Sequence, residues 1–152
     1  MTLQEHLDNL RRNGQMADHA ATPAELQQHL ASARDQLADA RNASVSALGR
    51  FNAAYGASHA LLTAAIKMHG LRPGNSAGHR QILFSLLDQL LPGAAGAKNV
   101  LAHAHVQRNK AEYDGEPVNT TGALVQSLVA AAESVDEEVR LAHKAWVKRQ
   151  GA

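Results

Sequence analysis

Beyond Thr121 the apolar residues Leu124, Leu128, Ala131, Val135, Val139, Ala142 and Trp146 recur at spacings of three and four. A strand would need alternation at every second position, so this spacing predicts a last helix of about thirty residues, introduced by the polar run Asn119, Thr120 and Thr121. One such helix buries its stripe only against others, and the rest of the chain supplies them. Thr22-Pro23-Ala24-Glu25 has capping-box spacing with proline at the first helical position, and Leu26, Leu30, Ala33 and Leu37 follow as a stripe ending near Ala40. From about Ser46 to His69 a further helix carries Phe51, Ala54, Tyr55, Leu61, Leu62, Ala65 and Ile66 on one face. Its second face holds Ala53, Gly56, Ala57, Ala60 and Ala64, residues small enough for another helix, or a second copy of the chain, to pack close.

Shorter signals complete the plan. Thr2 and Glu5 repeat the capping box ahead of Leu3, Leu7 and Leu10, and Asn13-Gly14 ends that first helix. Ser76 is positioned to cap a fourth helix carrying Ile82, Leu83, Leu86, Leu87, Leu90 and Leu91, closed by Pro92-Gly93. The expected fold is all-α: an antiparallel bundle of about four long helices plus a short N-terminal helix. Residues 1–152 read as one domain, with 1–21 as N-terminal helix and linker and 22–150 as the bundle. An apolar content of 45% with only 3% aromatic residues favours helices whose backbones approach closely over a β-sandwich.

Composition also removes function classes. The absence of cysteine rules out disulfides, thiolate metal sites and cysteine nucleophiles. Fifteen basic against fourteen acidic residues leave a formal charge of +1, so no bulk basic field drives nonspecific nucleic-acid binding. The N-terminus MTLQEHLDNLRRNG is amphipathic, and no run of about 18 apolar residues occurs. The chain is therefore expected to be cytoplasmic, with no membrane partner.

The stretch HAHVQRNKAEYDGEPV, residues 103–118, concentrates the chemistry. With Leu101 at zero on a helical wheel, His105, Arg108 and Glu112 fall within roughly 40° of it and Asn109 somewhat further round. Alanines 104 and 111 flank this stripe on one side, Ala102, Val106 and Tyr113 on the other, while His103, Gln107 and Lys110 take the opposite face. A polar stripe inside an apolar face must be paired, line a cleft or meet a partner, because an unpaired buried charge is costly. One reading is an Arg108–Glu112 pair at i,i+4 reaching water at the bundle edge, with Asn109 capping a neighbouring loop. The other is an anion or phosphate site, for which the planar, permanently charged fork of arginine is suited.

The Arg-Asn pair within RNKAEYDGEPV, the segment GRFNAAYGASHALL on the third helix and Gly-His-Arg at 78–80 together resemble the HEPN superfamily of prokaryotic helical proteins, over roughly residues 24–145. Many HEPN members are metal-independent endoribonucleases, often toxins, whose motif is an arginine, usually followed by a polar residue, and then a histidine after four to six residues. Arg108 and Asn109 match the first half. Tyr113 stands where the histidine would, and no histidine follows before the end of the turn. Tyrosine, with a reference pKa near 10, is a poor base at neutral pH but can still donate to phosphate or stack on a base. The resemblance thus implies Arg108, Asn109 and Tyr113 as the residues of a degenerate endoribonuclease site of a toxin or defence system, with His105, one turn before Arg108, as the alternative proton carrier. It also implies RNA or a nucleotide as ligand, a homodimer that shares a cleft, and a cognate antitoxin or partner protein.

His105, Glu112, Arg50 and Tyr55 are the expected ligand contacts around Arg108; Arg50 and Tyr55 lie beside the core face of the third helix. The competing function is a non-enzymatic protein-interaction module that uses the same stripe. No metal or other cofactor is expected, since His103 and His105 point about 200° apart and no His-Glu-x-x-His occurs. His79 and Arg80 read as surface residues of a first helical turn with some capacity for an anion, and Gly70, Gly74 and Gly78 as turn glycines.

Overall fold

The structure is a computed structural model that describes residues 1–74, 78–115, 117 and 120–151. It is mostly helical, 79% helix against 4% strand, as the all-α expectation required. The expected cap Ser76 and the first residue of the polar run before the last helix, Asn119, lie outside the described residues.

Helix α1 (Leu3–Arg12) opens with a complete capping box, in which the Glu5 amide donates to Thr2 Oγ1 and the Thr2 amide to the Glu5 carboxylate. Helix α2 (Pro23–Arg41) repeats it with Thr22 and Glu25. Helix α3 (Ala47–Met68) is capped by Ser46, whose Oγ accepts from the Gly49 amide at 3.0 Å. Helix α7 (Gly122–Gly151) is the thirty-residue element expected from its stripe, with Val125, Leu128, Val129, Ala131, Ala132, Val135, Val139 and Trp146 buried. Among the described residues no helix is long and apolar enough to cross a membrane.

Helix α3 is the hub, packed most extensively against α2 and α7. Phe51, Ala54, Tyr55, Leu61, Leu62, Ala65 and Ile66 are all buried, as their spacing implied. The small-residue face is used within the chain: a Cβ built on Gly56 would stand 2.8 Å from Gln36 Oε1 of α2, and Ala57 and Ala64 are buried. The neighbour expected on this face is α2, which occupies part of it.

Two expectations are corrected. The fourth helix is not continuous: α4 (His79–Ser85) ends at Leu86, with φ −89° and ψ −6°, and α5 (Leu87–Leu90) passes into a 3-10 stretch at Pro92–Ala97. The apolar residues between Ile82 and Leu91 spread over about half the circumference of an ideal helix, too wide for one contact face. Breaking the ladder lets Leu83, Phe84, Leu86, Leu87 and Leu91 all reach the core. The linker after α1 is not bare either. Strand β1 (Met16–Asp18) pairs antiparallel with β2 (Leu71–Pro73), Met16 opposite Pro73 and Asp18 opposite Leu71. Gly70, at φ +78°, makes the left-handed turn from α3 into β2.

This end of the molecule is held by a charged cluster. Lys67 Nζ from α3 lies 2.6 Å from Glu25 Oε1, His19 Nε2 is 2.7 Å from the same oxygen, and His29 Nε2 is 3.0 Å from Lys67 Nζ. The hydrogen bond from Lys67 chiefly, opposed by burial and aided by His19 and the Thr22 amide, lowers the Glu25 pKa to about 2. A carboxylate depressed in this way stabilises the fold above its unfolded pKa and loses that contribution as pH falls from about 4.5 toward 2. Lys67→Met should cost about 1–2 kcal/mol at pH 7, allowing for the partial exposure of the pair. Chemical denaturation of the variant should show the deficit fading below about pH 4. An equal deficit in acid and at neutrality would mean lost packing of the lysine stem instead.

Candidate functional site

The second half of the chain places a polar groove over α3. Helix α6 (Lys98–Asn109) buries Leu101, Ala104 and His105, so the stripe seen on the wheel does face inward. Arg108 is next along it, its side chain 31% exposed, at the point where the helix reaches the surface. From Lys110 to Asp114 the backbone widens into a π turn, closed by Gly115 at φ +70°. A wider turn advances fewer degrees per residue, so positions after Asn109 fall off the ideal wheel. Glu112 and Tyr113 accordingly stand outside, Tyr113 at 80% exposure.

A groove of about 800 Å³ runs between this turn and the start of α4, lined by His79, Arg80, His105, Arg108, Glu112 and Tyr113 among others. Its floor is a polar array on apolar rings. The Tyr55 hydroxyl lies 2.9 Å from His105 Nδ1, and the Asn109 amide nitrogen is 3.1 Å from Nε2. With that amide donating to Nε2, the neutral ring carries its proton on Nδ1 and donates it to the tyrosine oxygen. Tyr55 and His105 lie nearly parallel, 10° apart, and Phe84 packs against both at centroid distances of 5.5 and 5.7 Å.

Two guanidinium groups converge on this floor. Arg108 Cζ sits 4.8 Å from the Tyr55 ring centroid and Arg80 Cζ 5.9 Å from it. Burial raises the Tyr55 pKa, while the nearby charges of Arg80 and Arg108 oppose the rise. Burial, and then the same two arginines, lowers that of His105. Arg108 meets Glu112 at 3.7 Å, but the carboxylate is more than half exposed, so the pair is loose. No carboxylate pairs with Arg80 among the described residues.

Six of the seven residues singled out by sequence therefore belong to one neighbourhood: Arg108, Asn109, His105, Glu112 and Tyr113 line the groove, and Tyr55 supports it from below. Arg50 does not; its Nε donates to the Ala40 carbonyl at 2.8 Å and ties the start of α3 to the end of α2. The residue undervalued by sequence is Arg80. Its neighbourhood held only a Gly-His-Arg helix start, and nothing local signals that α4 tips its first turn toward Tyr55. Among the described residues no cluster of histidines and carboxylates is suited to hold a metal ion.

Behind the groove, His59 of α3 packs 6.0 Å from the His79 ring, and its buried Nε2 has no hydrogen-bond partner among the described residues. Burial first, and then Arg80, His79, Arg108 and His29, lowers its pKa to about 4. The unfolded chain therefore binds a proton near pH 6.5 that the folded chain refuses until about pH 4, so stability is intact above 6.5 and falls across this window. The slope attributable to this group is at most about 1.4 kcal/mol per pH unit. Denaturant midpoints measured from neutrality down to about pH 4 should show it, and His59→Gln should flatten it. An unchanged slope would place the titrating group elsewhere.

Compared with known proteins, the chain matches no family model, no curated protein and no solved structure.

Proposed function

We propose that the groove binds a phosphate-bearing ligand, RNA or a nucleotide, in a HEPN-like helical protein whose motif has lost its proton-transfer residue. The observation that carries this reading is the pair Arg80 and Arg108, both within 6 Å of one buried tyrosine ring, in a groove whose described lining contains Glu112 as its carboxylate. Guanidinium groups held half-buried beside a neutral histidine form a preorganised positive site, and phosphate oxygens answer it with charge-assisted hydrogen bonds. Tyr113, exposed at the rim, offers a face on which a base can stack.

Cleavage is weak or absent in this reading. A proton carrier needs a free nitrogen and a pKa near neutrality. Both ring nitrogens of His105 are engaged, and its pKa is driven down by burial and the arginines. Tyr113 stands in the histidine position of the HEPN motif and, as a phenol, does not substitute for it. A protein-partner reading of the same surface draws on Val106 and Tyr113, both more than half exposed next to the polar stripe. The homodimer and the antitoxin rest on the HEPN resemblance alone.

Fluorescence anisotropy with a short single-stranded RNA, together with calorimetry using AMP, tests the proposal. Binding should appear at low salt with a shallow salt dependence, because few phosphates are contacted. Arg108→Ala should weaken it about tenfold or more, the worth of a charge-assisted pair. RNA incubated with the protein should stay intact, with or without a chelator. Absence of binding by both RNA and AMP would reject the phosphate reading and leave the protein-partner one. Robust cleavage abolished by His105→Ala would show that His105 carries the proton after all.

A further inference from the structure

Resting on that phosphate reading, we propose that the groove selects a terminal phosphomonoester, the end group of a nucleotide or of an RNA strand, over an internal phosphodiester, with Arg80 as the residue that makes the distinction. The two groups differ in the edges they offer. An arginine fork engages phosphate best when two parallel N–H groups meet two oxygens along one edge of the tetrahedron. An internal diester has two non-bridging oxygens and so a single such edge. A monoester has three terminal oxygens and three edges, enough for two forks at once.

Two forks line the same groove. Arg80 comes from the start of α4 and Arg108 from the end of α6, yet their Cζ atoms lie 5.9 and 4.8 Å from the same ring centroid, and both charges act on the same hydroxyl. Arg108 has the exposed Glu112 carboxylate beside it at 3.7 Å, while Arg80 has no carboxylate partner among the described residues. Like charges lining one groove repel, and an anion seated among them relieves the repulsion in proportion to its charge. A monoester carries about −1.5 to −2 at pH 7, a diester about −1. Arg80 also lies on a different element from the Arg-Asn pair, so its removal leaves Arg108 and Asn109 in place.

Calorimetric titrations of the full chain with matched probes test the selectivity. One set is AMP and the methyl ester of its phosphate; the other is a four-nucleotide RNA bearing a 5′-phosphate, the same RNA with that phosphate methylated, and the same RNA ending in hydroxyl. The free monoester should bind roughly tenfold or more tightly than its methylated counterpart, the discrimination expected from a second charge-assisted fork. AMP and the phosphorylated RNA being alike in this respect assigns the site to the end group itself; discrimination within the RNA set alone assigns it to strand ends, and within the AMP set alone to free nucleotides. Arg80→Lys, which keeps the charge and removes the fork, should erase most of the preference of free over methylated probes. Equal affinity for free and methylated probes overturns this proposal and leaves phosphate binding intact, whereas no binding by any probe overturns both. A preference that survives Arg80→Lys and Arg80→Ala unchanged removes Arg80 from the assignment. Should neither variant fold, the comparison of free and methylated probes on the unmodified chain still upholds or overturns the selectivity.

Discussion

Everything else in the molecule follows from how closely α2 and α7 approach α3. Alanines at 54, 57, 64 and 65 and a serine at 58 allow it, the serine hydroxyl donating back to the Ala54 carbonyl at 2.9 Å so that it is itself paired. A chain with so few aromatic residues fills its core by bringing backbones together rather than by inserting large side chains. Phe51, Leu61, Leu62 and Ile66 then supply the volume of the core along this helix.

That packing fixes where the chemistry can stand. Tyr55 belongs to the buried face of α3, with its ring among Phe84 and His105, so its hydroxyl is held on a rigid element beneath the groove and meets the groove-lining His105. A buried hydroxyl without a partner would be destabilising, and His105 meets that demand from α6. His105 in turn meets Asn109, one turn later. The chain Tyr55–His105–Asn109 thus couples the hub of the fold to the surface carrying Arg108, and holds three side chains in one geometry through two hydrogen bonds.

The same arrangement governs charge. Arg80 and Arg108 lie near low-dielectric rings, where their fields reach further than in water, and nearby histidines respond. His59 and His105 are both driven toward the neutral form, by burial first and by the two arginines next. At the opposite end of α3 the balance is reversed: Lys67 and His19 surround Glu25 and hold it ionised. Helix α3 therefore runs beneath a groove that carries two arginines and ends in a paired ion cluster, and among the described residues Arg80 of the groove has no carboxylate partner.

What is local and periodic could be read from the residues alone. Capping boxes at Thr2 and Thr22, the thirty-residue stripe of α7, the limits of α3 and the inward stripe of His105 and Arg108 were legible because each depends on residues within a few positions of one another. The three-residue strands were not, since β1 and β2 are too short to alternate and meet across more than fifty residues of chain. Nor was the break at Leu86, which arises from competition among leucines for the core, or the outward swing of Glu112 and Tyr113 after the π turn. Arg50 and Arg80 were separable only in three dimensions. Both follow a glycine-containing helix start, yet one closes on a backbone carbonyl and the other reaches Tyr55, because the direction in which each helix leaves its turn is set by the elements packed against it.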